Sequence, residues 1–436
     1  MATAKLPNLP KGKEFEEFIA AFLQTHGFFI ERNIVDRQEE EVLELDVIAS
    51  RYKPSEIPEY ILFEMKSGEW GFGDIFKLKG WLEYLNIDRG CLVVQKPKSD
   101  FYRQIANSID LDIVSIPDVD QAARFLDDYI DAEHVNQIDI ATWRFSFWAE
   151  RNLLKLLRNK KKSLKDRKSF KALERYYFLI NNRIFFTRNI IKRAEKLYDA
   201  FRQFPHISAK VGNELVGNNF DDEHESIPQK IYSDTYYKCQ LTDITISTFI
   251  EYRARLSIMK SAIDYKIYKS AGLEIKDHLK LRFGDHEIEI SLLDILPDSF
   301  QNGLDIISKH IYFYLYPVFW QWFLWVFGGF ILEDYKDQEY SILSQKTGIP
   351  VEYIDEAINA YELIFPRDEG WFMTSKHSNI KFLKLFPTPF LGIGANYRRL
   401  IYGNGDWDKL SLSGLYTKND LIKWNNVLVE LLTKDI

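Results

Sequence analysis

Two short segments near the start of the chain alternate between apolar and polar residues, which indicates β-strands. Residues 42–49 read VLELDVIA, and residues 61–66 read ILFEMK. Successive side chains of a strand point to opposite faces. Asp46 therefore lies on the polar face of the first strand, and Glu64 and Lys66 share the polar face of the second. The apolar residues of both strands face the other way.

A hairpin would bring these polar side chains together. The intervening residues 51–60, RYKPSEIPEY, are suited to a polar connecting loop. If the two strands pair, Asp46, Glu64 and Lys66 converge on one surface. Two carboxylates beside a lysine predict a site for a hard cation and a water molecule, because Mg²⁺ prefers oxygen ligands and keeps several of its waters.

These residue types suit the hydrolysis of phosphodiester bonds. A carboxylate-bound Mg²⁺ neutralises phosphate charge, supplies a nucleophile near neutral pH and stabilises the leaving oxygen. We expect Asp46, Glu64 and the backbone carbonyl of Met65 to bind Mg²⁺, for which Mn²⁺ would substitute. Lys66 would orient or deprotonate the attacking water if nearby positive charge lowers its pKa.

On these residues the chain resembles the PD-(D/E)XK, or restriction-endonuclease-like, superfamily, and most closely its Mrr-like branch. The resemblance covers roughly residues 11–128 and follows the segments KGKEFEEFIAAFLQTHGFFI, LDVIA, FEMKSG, RGCLVV and LDIVSI. It implies an α/β domain with a mixed central sheet flanked by helices. It also implies that Glu16, in the opening helix, assists metal binding and catalysis.

The chain departs from the family pattern at two places. Leu45 stands where the motif has proline. Lys77 and Lys79 occupy the region in which some branches carry a glutamine, so the role of these lysines is open.

A purely structural explanation exists for each assignment. Asp46 and Glu64 would then be solvent-facing residues of an amphipathic hairpin, with Lys66 as a cross-strand ion-pair partner. Glu16 would simply be one of the acidic residues that favour the start of a helix.

The charge is divided unevenly along the chain. The whole chain carries −7 and residues 1–130 carry −9, whereas residues 151–196 carry +13. Aromatic residues lie among these basic ones, a combination that suits phosphates and unpaired bases. The predicted nucleic-acid contacts are Lys160, Lys161, Lys162, Lys165, Arg167 and Lys168. The alternatives are the solvated faces of two amphipathic helices, or contact with an acidic protein.

Residues 311–332 form a run of 22 residues without charge, which is long enough to span a membrane. The run is rich in aromatic residues and contains Pro317, Gln321 and a Gly328-Gly329 pair. A helix buried on all sides in a large helical domain explains it equally well. We favour this buried core over membrane association.

Three further segments are given local assignments. Residues 279–293 predict a β-hairpin turning at Gly284-Asp285. Residues 338–366 predict a helical hairpin, whose acidic second helix suits structure or protein binding better than DNA reading. The GIGAN sequence at 392–396 resembles a phosphate-binding glycine loop but is better explained as a plain loop.

The length of 436 residues predicts more than one domain. We expect a nuclease domain at 1–130, a basic aromatic helical segment at 131–205, and a mainly helical region with a small β-hairpin at 206–436. Two cysteines cannot build a disulfide framework. No apolar signal segment precedes the first charged residues, so we expect a cytoplasmic protein.

The sequence thus predicts a metal-dependent endonuclease that acts on DNA rather than RNA. Proteins resembling this branch serve prokaryotic restriction or defence against phage DNA, and that role follows from resemblance alone. The C-terminal region would bind nucleic acid, a partner protein or a second copy of the chain. The alternatives are a non-catalytic nucleic-acid-binding or scaffold protein on a nuclease fold, and a membrane-associated effector.

Overall fold

The computed structural model describes residues 11–37, 41–119, 122–126, 129–130, 136–158, 253, 256–272, 278–283, 285–291, 298–364, 375–376, 380–382 and 389–409. The six basic residues predicted to contact nucleic acid, Lys160, Lys161, Lys162, Lys165, Arg167 and Lys168, lie outside this part of the chain.

A five-stranded sheet forms the N-terminal region, with its strands in sequence order. They are β1 (Phe29–Arg37), β2 (Glu41–Arg51), β3 (Glu59–Lys66), β4 (Arg89–Val94) and β5 (Asp112–Ser115). The β1–β2 and β2–β3 pairs are antiparallel, whereas β3–β4 and β4–β5 are parallel. The mixed sheet and its predicted strands are therefore confirmed.

Helices connect and flank this sheet. Parallel strands require crossover connections, and here each crossover contains a helix. The helices are α1 (Lys13–Thr25), α2 (Phe72–Leu85, between β3 and β4), α3 (Asp100–Asn107, between β4 and β5), α4 (Ala122–Phe125) and α5 (Gln137–Arg158). Helix α1 buries Phe15, Ile19 and Phe22, whose spacing places them on one side of the helix, and it packs against α5.

The C-terminal region is mainly helical and also contains two small sheets. Its helices are α6 (residues 256–270), α7 (Asp298–Ile307), α8 (Tyr316–Gln321), α9 (Lys336–Thr347), α10 (Ile354–Ile364) and α11 (Pro389–Lys409). Strands β6 (His278–Phe283) and β7 (His286–Ser291) form the predicted hairpin. Strands β8 (Phe330–Leu332), β9 (Ser375–Lys376) and β10 (Ile380–Phe382) form a sheet that was not predicted. The predicted helical hairpin is confirmed by α9 and α10, which flank Gly348.

Residues 316–332 of the uncharged run are buried in the core, as expected, whereas Ile311 is exposed, and the run is not one helix. A 3-10 turn at Phe313–Leu315 leads into α8, a π-helical turn follows at Trp322–Val326, and β8 ends the run. Gly328 and Gly329 have φ values of 73° and 76°, which end the helical path. No helix in the described part of the chain is long and apolar enough to cross a membrane.

A side chain from this run covers the edge of the N-terminal sheet. The Gln321 amide oxygen accepts a hydrogen bond from the Ile30 N–H at 3.0 Å, and its amide nitrogen donates to the Ile30 carbonyl at 2.7 Å. Strand β1 is an edge strand, so these backbone groups would otherwise lack a partner strand. One buried apolar cluster accordingly runs from Phe15 to Tyr397.

The prediction of a loop at residues 392–396 was wrong, because they lie inside α11. A Cβ atom on Gly394 would lie 2.5 Å from the Phe327 carbonyl oxygen. Arg398, one turn later and fully buried, donates a hydrogen bond to the same oxygen at 2.8 Å. The glycine therefore permits close packing of α11 on the backbone after the π-helical turn.

Replacing Gln321 with leucine should destabilise the protein strongly. The substitution leaves both polar backbone groups of Ile30 buried without partners, at a cost of roughly 2–5 kcal/mol in the free energy of unfolding. Urea unfolding followed by tryptophan fluorescence measures this effect. Gln104→Leu, at an exposed position on α3, is the control and should change stability little. Equal stabilities of the two variants would contradict the role assigned to Gln321.

Candidate metal-binding active site

The end of the β2–β3 hairpin brings the predicted carboxylates together. Val47 pairs with Phe63, so Asp46 and Glu64 are the next residues along the two antiparallel strands. The Met65 N–H donates a hydrogen bond to Asp46 Oδ2 at 2.9 Å. Only 11% of the Asp46 side chain and 4% of the Glu64 side chain are exposed. This burial contradicts the alternative in which both carboxylates face solvent.

Lys66 completes the group on β3. Its ammonium donates a hydrogen bond to Glu64 Oε1 at 2.7 Å and lies 3.7 Å from Asp74 Oδ1 of α2. Burial acts to lower the pKa of Lys66, but the hydrogen bond and charge of Glu64 outweigh burial and raise it. The lowered pKa that a role as base would require is therefore not met in the metal-free chain, where Lys66 is held as a cation.

The opening helix adds a third carboxylate. The Gly12 N–H donates to Ser67 Oγ at 2.7 Å, which fixes the start of α1 beside the end of β3. Lys13 Nζ lies 2.9 Å from Glu16 Oε2 and 4.0 Å from Asp46 Oδ1, so this ammonium bridges the two acids. Burial, and then the negative charge of Asp46, raise the pKa of Glu16. The structure thus places Glu16 near Asp46, where the resemblance implies it.

Glu64 has the least exposed side chain of the three carboxylates. Burial and then the negative charge of Asp46 raise its pKa to about 7, even though Lys66 favours its ionised form. The ion pair sets the direction of the pKa shift for Lys66 but not for Glu64. The reason is that Glu64 is almost fully buried and faces a second acid, whereas Lys66 is partly exposed. Oε2 of Glu64 is buried and has no hydrogen-bond partner among the residues that the structure describes. A cation at this oxygen would satisfy it and offset the repulsion.

The Met65 carbonyl points towards the same side of β3 as Asp46. The Lys66 backbone carbonyl accepts a hydrogen bond from the N–H of Gln95, just beyond β4, at 2.9 Å. Because successive carbonyls of a strand point in opposite directions, the Met65 carbonyl points towards β2. The Met65 N–H also reaches that side, where it bonds Asp46. This direction suits the ligand role predicted for the carbonyl.

Three charged residues of the site were not predicted from the sequence. Lys77 Nζ lies 3.7 Å from Glu64 Oε1, so Lys77 belongs to the site, whereas Lys79 pairs with Glu83 of its own helix at 3.3 Å. Asp74 and Lys77 are three residues apart on α2, a spacing that places them on one face of the helix. Lys13 precedes Glu16 by the same interval in α1. This three-residue spacing of charged residues is the sequence signal that could have identified Lys13, Asp74 and Lys77 as members of the site.

Within the described residues, no group of three or more His, Cys, Asp or Glu side chains is placed to hold a metal ion by itself. The donor set is smaller: two carboxylates and one backbone carbonyl, with the unpartnered Glu64 oxygen among them. This set fits Mg²⁺, which is commonly held by one or two carboxylates and completes its coordination with water.

No protein-family model, curated protein or solved structure matches this chain. The proposal for its function therefore depends on the geometry around Asp46, Glu64 and Lys66.

In metal-free protein, Glu64→Gln should stabilise the fold more at pH 8 than at pH 5. The pKa of Glu64 is raised from 4.5 to about 7, so the folded chain retains a proton that the unfolded chain releases. Wild-type stability therefore falls as the pH rises between these values, whereas the glutamine variant shows no such fall. The difference reaches roughly 2–3 kcal/mol above pH 7.

Urea unfolding in EDTA at several pH values measures this difference. Glu56→Gln, in the exposed loop between β2 and β3, is the control and should show no such pH trend. If Glu64→Gln changes the free energy of unfolding by the same amount at pH 5 and pH 8, the pKa of Glu64 is not raised in the folded chain.

Proposed function

We propose that the chain is a Mg²⁺-dependent endonuclease of the PD-(D/E)XK type. The observation that supports this proposal best is the buried Glu64, with one unpartnered oxygen, beside Asp46 and in contact with Lys66. A buried carboxylate without a full set of partners is costly for folding, so a ligand that relieves it is the simplest reason for its presence.

Each residue of the site has a distinct proposed role. Asp46, Glu64 and the Met65 carbonyl would hold Mg²⁺, with Mn²⁺ as a substitute. When bound, the ion lowers the pKa of a water molecule and offsets phosphate charge. Lys66 would orient that water, or the phosphate oxygen, through its ammonium, which donates a hydrogen bond to Glu64 in the metal-free chain.

Two residues support this arrangement from the helices. Glu16 adds negative charge beside Asp46 and strengthens cation binding. Asp74 lies 3.7 Å from the Lys66 ammonium and helps to position it.

The proposed substrate is DNA, held partly by the basic residues between 151 and 196. The acidic module at 1–130 would by itself repel phosphate, so a separate basic surface is needed. By resemblance we propose a role in restriction or anti-phage defence in the cytoplasm, with the C-terminal region available to a partner protein or a second copy. A non-catalytic nucleic-acid-binding protein on this fold would bind but not cleave.

Asp46→Ala and Lys66→Ala should each abolish cleavage of DNA. The expected loss of rate is at least about 100-fold, because each variant removes a metal ligand or the cation that orients the nucleophile. Purified protein is assayed on single- and double-stranded DNA and RNA with Mg²⁺, Mn²⁺ or EDTA. EDTA should stop the reaction and either ion should restore it.

Matched controls separate a catalytic role from a general charge effect. Lys79→Ala removes a lysine that pairs with Glu83 of the same helix, and Glu56→Gln removes an exposed acid. Both should cleave like the wild type. Cleavage by Lys66→Ala at the wild-type rate, or cleavage in EDTA, would refute the proposed mechanism.

Changing Lys160, Lys161 and Lys162 to glutamate should weaken DNA binding without removing the chemistry. For every phosphate that the variant no longer neutralises, the log–log salt slope should fall by about 0.9 on duplex DNA. At saturating DNA the variant should recover much of its cleavage rate, unlike Lys66→Ala. Fluorescence anisotropy at several salt concentrations measures the slope. An unchanged affinity and slope would assign these lysines to a solvated surface.

A further inference from the structure

Exposed aromatic rings are concentrated on α2 and α3. Phe76 and Phe101 are each 57% exposed, and Tyr84 is 45% exposed. They are the three aromatic residues among the large exposed apolar side chains of the described part of the chain, and all three lie on these two helices. Such a concentration marks a binding surface more often than a scattered exposed residue does.

Phe76 and Phe101 lie near the edge of the sheet that carries the proposed metal site, whereas Tyr84 lies near the end of α2, towards the opposite edge. Lys66 ends β3, and α2 begins six residues later at Phe72, so the two are within about 20 Å. Asp74, in the first turn of α2, lies 3.7 Å from the Lys66 ammonium. Because β3 and β4 are parallel, α3 also begins at this edge. Ligands of α/β sheets commonly bind at the carboxyl ends of the parallel strands.

Neighbouring side chains hold the rings in place. Phe72 stacks on Tyr102 with ring centres 4.2 Å apart and planes inclined by 7°. Phe101 lies perpendicular to Phe72, with ring centres 5.9 Å apart. In this edge-to-face arrangement Phe72 covers at most one face of the Phe101 ring, which leaves a face for another flat group.

Lysines border the rings. Lys98 Nζ lies 4.9 Å from the ring centre of Tyr102 and 5.3 Å from that of Trp70. On the side of α2 that faces the metal site, Lys77 Nζ lies 4.1 Å from the ring centre of Trp81 and 3.7 Å from Glu64. Cations interleaved with aromatic rings suit a ligand that combines flat apolar groups with negative charge.

We infer that Phe72, Phe76, Lys98, Phe101 and Tyr102, the α2–α3 aromatic surface, bind single-stranded nucleic acid beside the active site. Unpaired bases stack on exposed aromatic rings, and lysines contact the backbone phosphates. A duplex presents only base edges in its grooves, so it offers no base face to Phe101. The inference deepens the proposed nuclease function and rests on it for the link to cleavage.

Binding is tested without cleavage, in Lys66→Ala protein with EDTA. The probes are a fluorescently labelled oligothymidine and a blunt duplex, and the readout is anisotropy. Phe101→Ala should weaken oligothymidine binding roughly fivefold to 100-fold, and Phe76→Ala should also weaken it, with duplex binding unchanged. Lys98→Gln should lower the single-strand salt slope by about 0.7.

Matched substitutions distinguish stacking from general apolar contact. Phe101→Tyr keeps a ring and should bind oligothymidine normally, whereas Phe101→Leu keeps apolar area without a ring and should bind weakly. Ile311→Ala, at a 65% exposed position in the C-terminal region, should have no effect. Urea unfolding of each variant confirms that the fold is retained.

The outcomes separate this inference from the proposed function. Ring-dependent oligothymidine binding supports the inference even if the wild type cleaves nothing, a result that would refute the nuclease proposal alone. Wild-type cleavage with oligothymidine binding that is unchanged in Phe101→Ala and Phe76→Ala overturns the inference alone. Equal binding by Phe101→Leu and Phe101→Tyr also overturns it, and points to an apolar protein partner for this surface.

Discussion

The antiparallel register of β2 and β3 is the constraint on which the candidate site depends. It places Asp46 and Glu64 side by side at the end of the pairing and brings the Met65 N–H to Asp46. A slip of one residue would turn each polar side chain of one strand to the opposite face. The apolar residues of both strands oppose such a slip, because Leu45 and Phe63 are fully buried in the core. The register of β2 and β3 thus determines both the packing of the core and the geometry of the site.

The C-terminal region contributes to this arrangement at a distance from the site. At the opposite end of the hairpin, Tyr52 and Tyr60 donate hydrogen bonds to Asp264 of α6 at 2.8 and 2.6 Å. Lys260, almost fully buried, balances the charge of Asp264 at 2.7 Å. Gln321 meanwhile covers the edge of β1. A truncation after residue 130 would expose an edge strand and leave these polar groups unpaired, so the N-terminal sheet depends on being covered by the rest of the chain.

Three lysines offset the negative charge of the carboxylates at the candidate site. Lys13, Lys66 and Lys77 each approach one or more of the carboxylates within 4.0 Å. They are flexible cations that water can replace as partners, whereas the carboxylates are fixed by strands and by the start of α1. The lysines therefore stabilise the acids in the absence of metal, and they remain close enough to contact a phosphate. The purely structural explanation, in which Lys66 forms a salt bridge on the surface of a hairpin, accounts for the Lys66–Glu64 contact. It does not account for the burial of Glu64.

The sequence by itself determined β2, β3 and the polar face that carries Asp46, Glu64 and Lys66, because alternation along a strand is a local property. The mixed sheet and strands β4 and β5 were expected from the family resemblance, and β1 was not predicted. It also predicted the buried character of residues 311–332, which holds for 316–332 but not for the exposed Ile311, and it did not predict the division of the run into short helices and a strand. Only the tertiary structure decided the raised pKa of Lys66, the contacts of Lys13 and Lys77 and the aromatic surface on α2 and α3. The sequence also did not show that Gly394 lies in a helix and packs against the backbone of Phe327. Each of these depends on distances between distant segments and on burial, which no local pattern contains.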